Sequence, residues 1–181
     1  RPDVDRAKKL LAEAGYPNGF EFQLNCSNNR YVNDEEICQA LLPMWAKIGM
    51  KVRLVAEPFA QHSVRFQNFD TSAYMLGWGV PTLDALYSFQ SLVATRGGQQ
   101  GDGIWNYGRY SNPRMDEMIQ RMKTQSGEPR MEAIREALRI YREDVPHIPL
   151  HHQMIPWAMR SNLTIPHMAN NQPYFRWAKM N

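Results

Sequence analysis

Hydrophobic and polar positions alternate along this chain with two periods. Ala7, Leu10, Leu11 and Ala14 fall at helical spacing behind Asp3, a residue able to cap a helix, and Gly15 marks the stop. Tyr16-Pro17-Asn18-Gly19 is turn chemistry. Phe20, Phe22 and Leu24 then alternate with polar residues as a strand, and a polar loop runs from Ser27 to Asn33. The helical period returns with Ile37, Leu41, Met44, Trp45 and Ile48, opened by Asp34 as a cap and closed by Gly49. Lys51 to Val55 alternates as a second strand, Ala60 to Asn68 reads as a short helix, and Ser72 to Leu76 as a more continuously apolar strand. This αβαβαβ order predicts a sheet with helices packed on it.

Beyond that point the pattern loosens. Gly77 to Thr82 is a loop, Asp84 to Val93 reads as helix, and Arg96 to Gly103 as a flexible loop rich in Gly and Gln. Asn112 caps a helix with Pro113 at its first position and an inward stripe of Met115, Met118, Ile119 and Met122. A further helix, from about Pro129 to Glu143, turns Met131, Ile134, Leu138 and Tyr141 inward. Ile148 to Ile155 is a strand candidate. From Ser161 to Asn181 periodicity is weak, yet Ile165, Pro166, Tyr174, Phe175 and Trp177 are too apolar for a solvated end, which predicts docking on another surface.

Charge and composition narrow the classes. The 181 residues carry a formal charge of +3, with Lys and Arg scattered rather than massed in a stripe, which argues against a nucleic-acid partner. Nothing approaches the ~20 apolar residues of a membrane span. The chain opens on Arg1-Pro2-Asp3 without an apolar leader, as a mature chain or a fragment would. Cys26 and Cys38 are not at metal-ligand spacing. They form a disulfide if their Cα atoms approach within about 7 Å, and are otherwise two small buried thiols.

Catalytic and cofactor signatures are weak. Gly97 to Gly103 lacks the ending of a phosphate-binding loop and reads as a mobile loop. His147 and His151 share one face of the candidate strand and His152 the other, without Asp, Glu or Cys at ligand spacing apart from Asp144, so no metal site is assigned. Neither cysteine nor any serine sits in a nucleophile motif. The acidic runs Asp34-Glu35-Glu36 and Asp116-Glu117 open helices, where carboxylates complement the helix dipole. No catalytic residue and no cofactor is assigned. Two loops remain as binding candidates. Gly77 to Asp84 leaves the carboxyl end of a predicted strand, where ligands of open α/β sheets sit, and offers the Trp78 indole beside Gly79, Val80 and Pro81. Trp105 to Tyr110 gathers aromatics with Asn106, Tyr107 and Arg109.

The order of these features resembles the C-terminal lobe of the extracellular solute-binding protein family 5, the dipeptide and oligopeptide receptors of ABC importers. Asp5 to Phe20 (DRAKKLLAEAGYPNGF) is similar to the family's opening helix and turn, and Leu41 to Val52 (LLPMWAKIGMKV) to its helix and strand ending in KIGI-KV. Gly77-Trp78-Gly79 resembles the GW loop. Asn106-Tyr107 through Asn112-Pro113 with Met115-Asp116 resembles N..GYSNPEFD, and Asp144 to His151 (DVPHIPLH) resembles aPwIPLYH. One departure stands out. Peptide receptors of the family read GWxxDxxDP, where the first acid pairs with the ligand's amino group; here Pro81 takes that position, Asp84 the second acid's, and Ala85 the following proline's.

The resemblance implies an α/β lobe, a mixed sheet flanked by helices, of a two-lobed periplasmic binding protein. Residues 1–160 would form most of the C-terminal lobe and 161–181 would cross back to the other. It implies a periplasmic or otherwise exported monomer that captures a peptide or other small solute by hinge closure and delivers it to a membrane permease, without catalysis. Trp78 would supply an apolar face, Asp84 and Arg109 charge recognition, and Asn106 and Tyr107 hydrogen bonds. The competing readings are a partner-binding, signalling-input domain, which requires a large exposed apolar patch, and a small α/β enzyme, which requires a nucleophile and base in mutual reach.

Overall fold

The computed structural model describes residues 3–168, 170 and 172–181. They form two compact units, residues 1–78 and 79–181.

The first unit follows the predicted order: α1 (Val4–Glu13), β1 (Glu21–Ser27), α2 (Asp34–Ala46), β2 (Lys51–Glu57), α3 (Phe59–Gln67) and β3 (Ala73–Tyr74). Asp3 caps α1 by accepting from the Arg6 amide, and Gly15 (φ 90°) ends it. The three strands form one sheet in the order β2-β1-β3, all parallel, with Leu24 opposite Leu54 and Ala73. The α/β class is as expected; this sheet is parallel throughout, however, and the antiparallel pairing lies in the second unit. Alternation along β1 sends Phe22, Leu24 and Cys26 to the face where Cys38, Leu41 and Trp45 of α2 pack, and the Cys26–Cys38 disulfide (Cα–Cα 6.7 Å) pins strand to helix there. Asn25 and Ser27 are buried on the other face, against α3, whose own buried residues are His62 and Phe66. Met44, expected inward, is exposed; the helix turns Leu42 inward with Cys38 instead. No residue of α1 is buried.

The second unit opens with α4 (Ala85–Ser88), which widens into a π-helical turn at Phe89–Val93, and continues with α5 (Pro113–Thr124) and α6 (Gly127–Asp144). Asn112 caps α5 through the Arg114 amide, with Pro113 in its first turn as predicted. Met115, Met118, Ile119 and Met122 are all buried. The stripe of α6 is rotated from the predicted one: Ala133, Ala137 and Ile140 are buried, flanked by Ile134 and Tyr141, while Met131 and Leu138 are 44% and 53% exposed. Alanines at the contact let α6 approach α5 closely, and the larger side chains one step around the helix face outward. The strand expected over Ile148 to Ile155 does not form: Pro146, Pro149 and Pro156 break its capacity to donate to a ladder, and no strand lies between α6 and residue 163 among the described residues. Near the end, β4 (Leu163–Thr164) pairs antiparallel with β5 (Lys179–Met180) around a turn of 3-10 helix at Phe175–Trp177.

Candidate functional site

In the first unit the three parallel strands end at one edge, and the loops that leave it are the local candidates. The Gly77-Trp78 segment follows β3 there. Gly77 lies so close to the Tyr31 ring that a Cβ would sit 2.6 Å from it, so a larger residue here requires the ring to shift. Trp78 is half-buried. The β1–α2 loop, which the pattern marks only as polar, contributes more than expected at this edge. Arg30 lies over the rings of Tyr31 (5.6 Å) and Phe59 (5.4 Å), and Asn29 accepts from the Phe59 amide at 2.8 Å. Its signal in the sequence is position alone: Asn28 to Tyr31 follows a strand end just as Gly77-Trp78 does.

Asp34 does not cap α2 as expected. The residue before the helix is Asn33, left-handed and without a capping bond, and the Asp34 carboxylate turns back to accept from the amides of Arg30 and Tyr31 at 3.0 and 3.2 Å. Burial works to raise this carboxyl, but those amides, the Ser27 side chain and the Glu35 amide outweigh it and hold it below the ordinary range. Asp34 thus fixes the shape of the loop carrying Arg30 and Tyr31. Glu57, buried at the end of β2, takes the Arg65 guanidinium at 2.7 Å.

In the second unit Gly79, Val80, Pro81 and Asp84 lie on one loop. Val80 is half-buried, and Gly79, Pro81 and Leu83 are exposed, the last in the left-handed region at φ 54°. Asp84 caps α4 through the Leu86 amide (2.8 Å) and accepts from Arg130 Nη2 at 2.7 and 2.9 Å. The Arg130 guanidinium, then the Leu86 amide, hold its carboxyl below the usual range. Asn106 is buried and its amide is fully used: Nδ2 donates to Ala94 O and Tyr110 O, and Oδ1 accepts from the Tyr110 amide. Both residues therefore serve the loops that carry them. Tyr107 packs edge-on against Trp105 and lies under the Arg96 guanidinium (5.1 Å). Arg109 is exposed, with φ 55°.

The glycine-rich loop is tied down at several points. Arg96 donates to Gly103 O and Ile104 O, and buried Asp102 accepts from Lys123 (2.6 Å), Gln90 and Gln120. A Cβ on Gly103 would meet Ala94 O at 2.4 Å. Residues Arg96 to Ile104 line an open cavity of about 380 Å³. The histidines do not share a strand face, because no strand forms: His147 stacks on Tyr141 at 6.0 Å, and His151 and His152 are exposed. Asp116 accepts from the Thr95 amide and hydroxyl, a structural role beyond the helix dipole. Among the described residues no group of three or more His, Cys, Asp or Glu could hold a metal ion, and no helix is long and apolar enough to cross a membrane.

The model of the bacterial extracellular solute-binding proteins, family 5, middle region, matches residues 1–100, and the chain belongs to that family. Heme-binding protein A of Haemophilus influenzae is 29% identical over 159 residues, 84% of this chain and 28% of that protein. The glutathione-binding protein of Escherichia coli is 27% identical over 168 residues, 90% of this chain and 32% of that one. The chain thus spans about a third of the length of the curated relatives it matches. A dipeptide-binding protein from Pseudoalteromonas in complex with Met-Leu superposes with a TM-score of 0.78 at 22% identity, covering 99% of this chain and 36% of that one. A periplasmic binding protein of Helicobacter pylori in complex with a peptide gives 0.70 at 24% identity over 82% of this chain and 28% of its own. The fold is the α/β arrangement of these binding proteins.

Proposed function

We propose that this chain is the C-terminal lobe of a periplasmic solute receptor that serves an ABC importer, capturing a small solute by closure of two lobes and handing it to a membrane permease. The observation that carries this reading is the family match over residues 1–100, which includes the strand-end loop with Trp78. Closure would be driven by contacts the solute makes better in the closed state than in the open one. Residues 1–160 form the lobe in this reading and 161–181 return toward the other lobe. Uncovered apolar side chains at Ile148, Leu150, Met154, Ile155 and Phe175 support a docking surface for a further part of the protein.

Trp78, Gly79, Val80, Pro81, Tyr107 and Arg109 are the proposed ligand contacts, with Asp84 and Asn106 shaping the loops. Because Pro81 stands where peptide receptors of the family carry their amino-group acid, the cargo is bound without that anchor. The relatives named above bind heme, glutathione and a dipeptide. A thermal-shift screen of the full-length gene product, freed of co-purified ligand, against those compounds, opines and nickel–histidine tests the reading. A ligand at 100 times its Kd adds about 2.7 kcal/mol of stability. The expected result is a shift with one class that is lost in Trp78→Ala. No shift with any class would sink the receptor reading in favour of a protein-binding domain.

A further inference from the structure

Two polar side chains under α3 carry an unmet requirement. Asn25 on β1 and His62 on α3 are both completely buried, and neither Asn25 Nδ2 nor His62 Nδ1 has a hydrogen-bond partner. Their orientations are fixed by neighbours that can play one role only. The Arg53 guanidinium, which can only donate, donates to Gln23 Oε1. Gln23 Nε2 is therefore the end that faces Asn25, and it donates to Asn25 Oδ1 at 2.9 Å. That leaves Asn25 Nδ2 as a buried donor. On the other side, the Met75 carbonyl can only accept, so His62 Nε2, at 2.9 Å from it, carries the proton. The neutral ring then presents Nδ1 as a buried acceptor.

The two residues are neighbours through the same backbone. Asn25 O accepts from the Met75 amide at 2.9 Å while Met75 O accepts from His62. Asn25 and α3 lie on the sheet face opposite α2, as alternation along β1 requires. The pair asks for a group that accepts from one side and donates to the other. A metal cation cannot accept from Nδ2, and a halide or carboxylate cannot donate to Nδ1; a hydroxyl or a water molecule does both, and the Ser27 hydroxyl, buried on the same face, makes no hydrogen bond to either atom.

We propose that one ordered water is bound beneath α3, accepting from Asn25 Nδ2 and donating to His62 Nδ1. It completes a polar relay from Arg53 at the surface through Gln23, Asn25, the water and His62 to the Met75 carbonyl. Met75 stands two residues before Gly77, so the relay holds the end of β3 from which the Trp78 loop departs. His62 and Asn25 are positioning residues for that loop; only this consequence rests on the receptor reading, and the water does not.

A crystal structure of the full-length gene product at near-atomic resolution tests the site directly. The expected result is a water within hydrogen-bond distance of both Asn25 Nδ2 and His62 Nδ1. A direct Asn25–His62 hydrogen bond, an ion in that place, or an unfilled gap overturns the proposal. Amide hydrogen exchange then reads the relay. Asn25→Leu is expected to speed exchange at Met75, whose amide bonds to the strand position altered, by about tenfold while leaving the β1–β2 amides within about twofold. Equal acceleration across the sheet, or none at Met75, overturns the positioning role. Should Asn25→Leu fail to fold, the crystallographic result decides alone.

Discussion

Asp84 and Arg130 meet across 46 residues of chain, with Nη2 2.7 Å from one carboxylate oxygen and 2.9 Å from the other, while Arg130 Nε donates to Met122 O. The pair joins the cap of α4 to the core helices α5 and α6. Asp84→Ala removes the cap and the ion pair together. The cap is worth about 1 kcal/mol, and with the Asp84 side chain 42% exposed the ion pair adds less than 1 kcal/mol after solvent screening. A loss of about 1–2 kcal/mol is expected in urea denaturation, with Asp84→Asn, which retains a capping oxygen, losing less.

The Cys26–Cys38 disulfide closes a short loop, with a sequence separation of 12, and both cysteines are fully buried. Chain-entropy reasoning assigns such a closure about 3 kcal/mol. Replacing both cysteines by serine is expected to lower the denaturation midpoint accordingly. In the native protein, mild reductant is expected to leave the bond intact until denaturant opens α2 from β1, which labelling of released thiols would read.

Asn106 makes three hydrogen bonds from a fully buried position. Asn106→Ala strands the carbonyls of Ala94 and Tyr110, and at roughly 1 kcal/mol per bond the expected loss is about 3 kcal/mol. Asn106→Asp should not rescue it, since a carboxylate has no donors for those two carbonyls. Limited proteolysis within residues 96–110 is the sensitive readout: cleavage there is expected to rise before global unfolding does.

Stability should depend on His62 and His147 at mildly acidic pH. Burial lowers the affinity of both rings for a proton; for His62 the Met75 carbonyl on β3, Glu57 at the end of β2 and Asp34 at the head of α2 oppose it, without reversing it. Arg65, one turn along α3, is paired to Glu57. Below the ordinary histidine value of about 6.5 the unfolded chain binds more protons than the native one. The contribution is therefore complete above about pH 6.5 and is lost as pH falls toward the depressed native values. Denaturation midpoints at about pH 7.5 and about pH 5.5 are expected to differ, and His62→Gln, which keeps a donor for Met75 without titrating, should reduce the difference.

Much of the fold was legible in the residues. Period and punctuation alone gave the αβαβαβ order, the Asn112-Pro113 start of α5 and its methionine stripe, because these features depend on neighbours within one turn or one strand. The glycines and the indole that mark the candidate loop after β3 are local features of the same kind. The roles of Asp84 and Asn106 within those loops were not. Each finds its partners far along the chain or in a folded-back turn, so an acid and an amide that read as ligand groups serve as supports.

The sequence by itself determined the helix and strand order of the first unit, the start of α5 and its buried stripe, and the family motifs. Tertiary structure decided which of two adjacent stripes α6 buries, since Ala133 and Ala137 gain their advantage only when α5 lies against them. It decided that Cys26 and Cys38 pair, since the distance between a strand end and a helix depends on how the helix packs. It also decided that the run after α6 forms no ladder, where prolines remove donors and the described chain supplies no partner strand. Local pattern fixes what a segment is able to form; whether it does so depends on the surface that covers it.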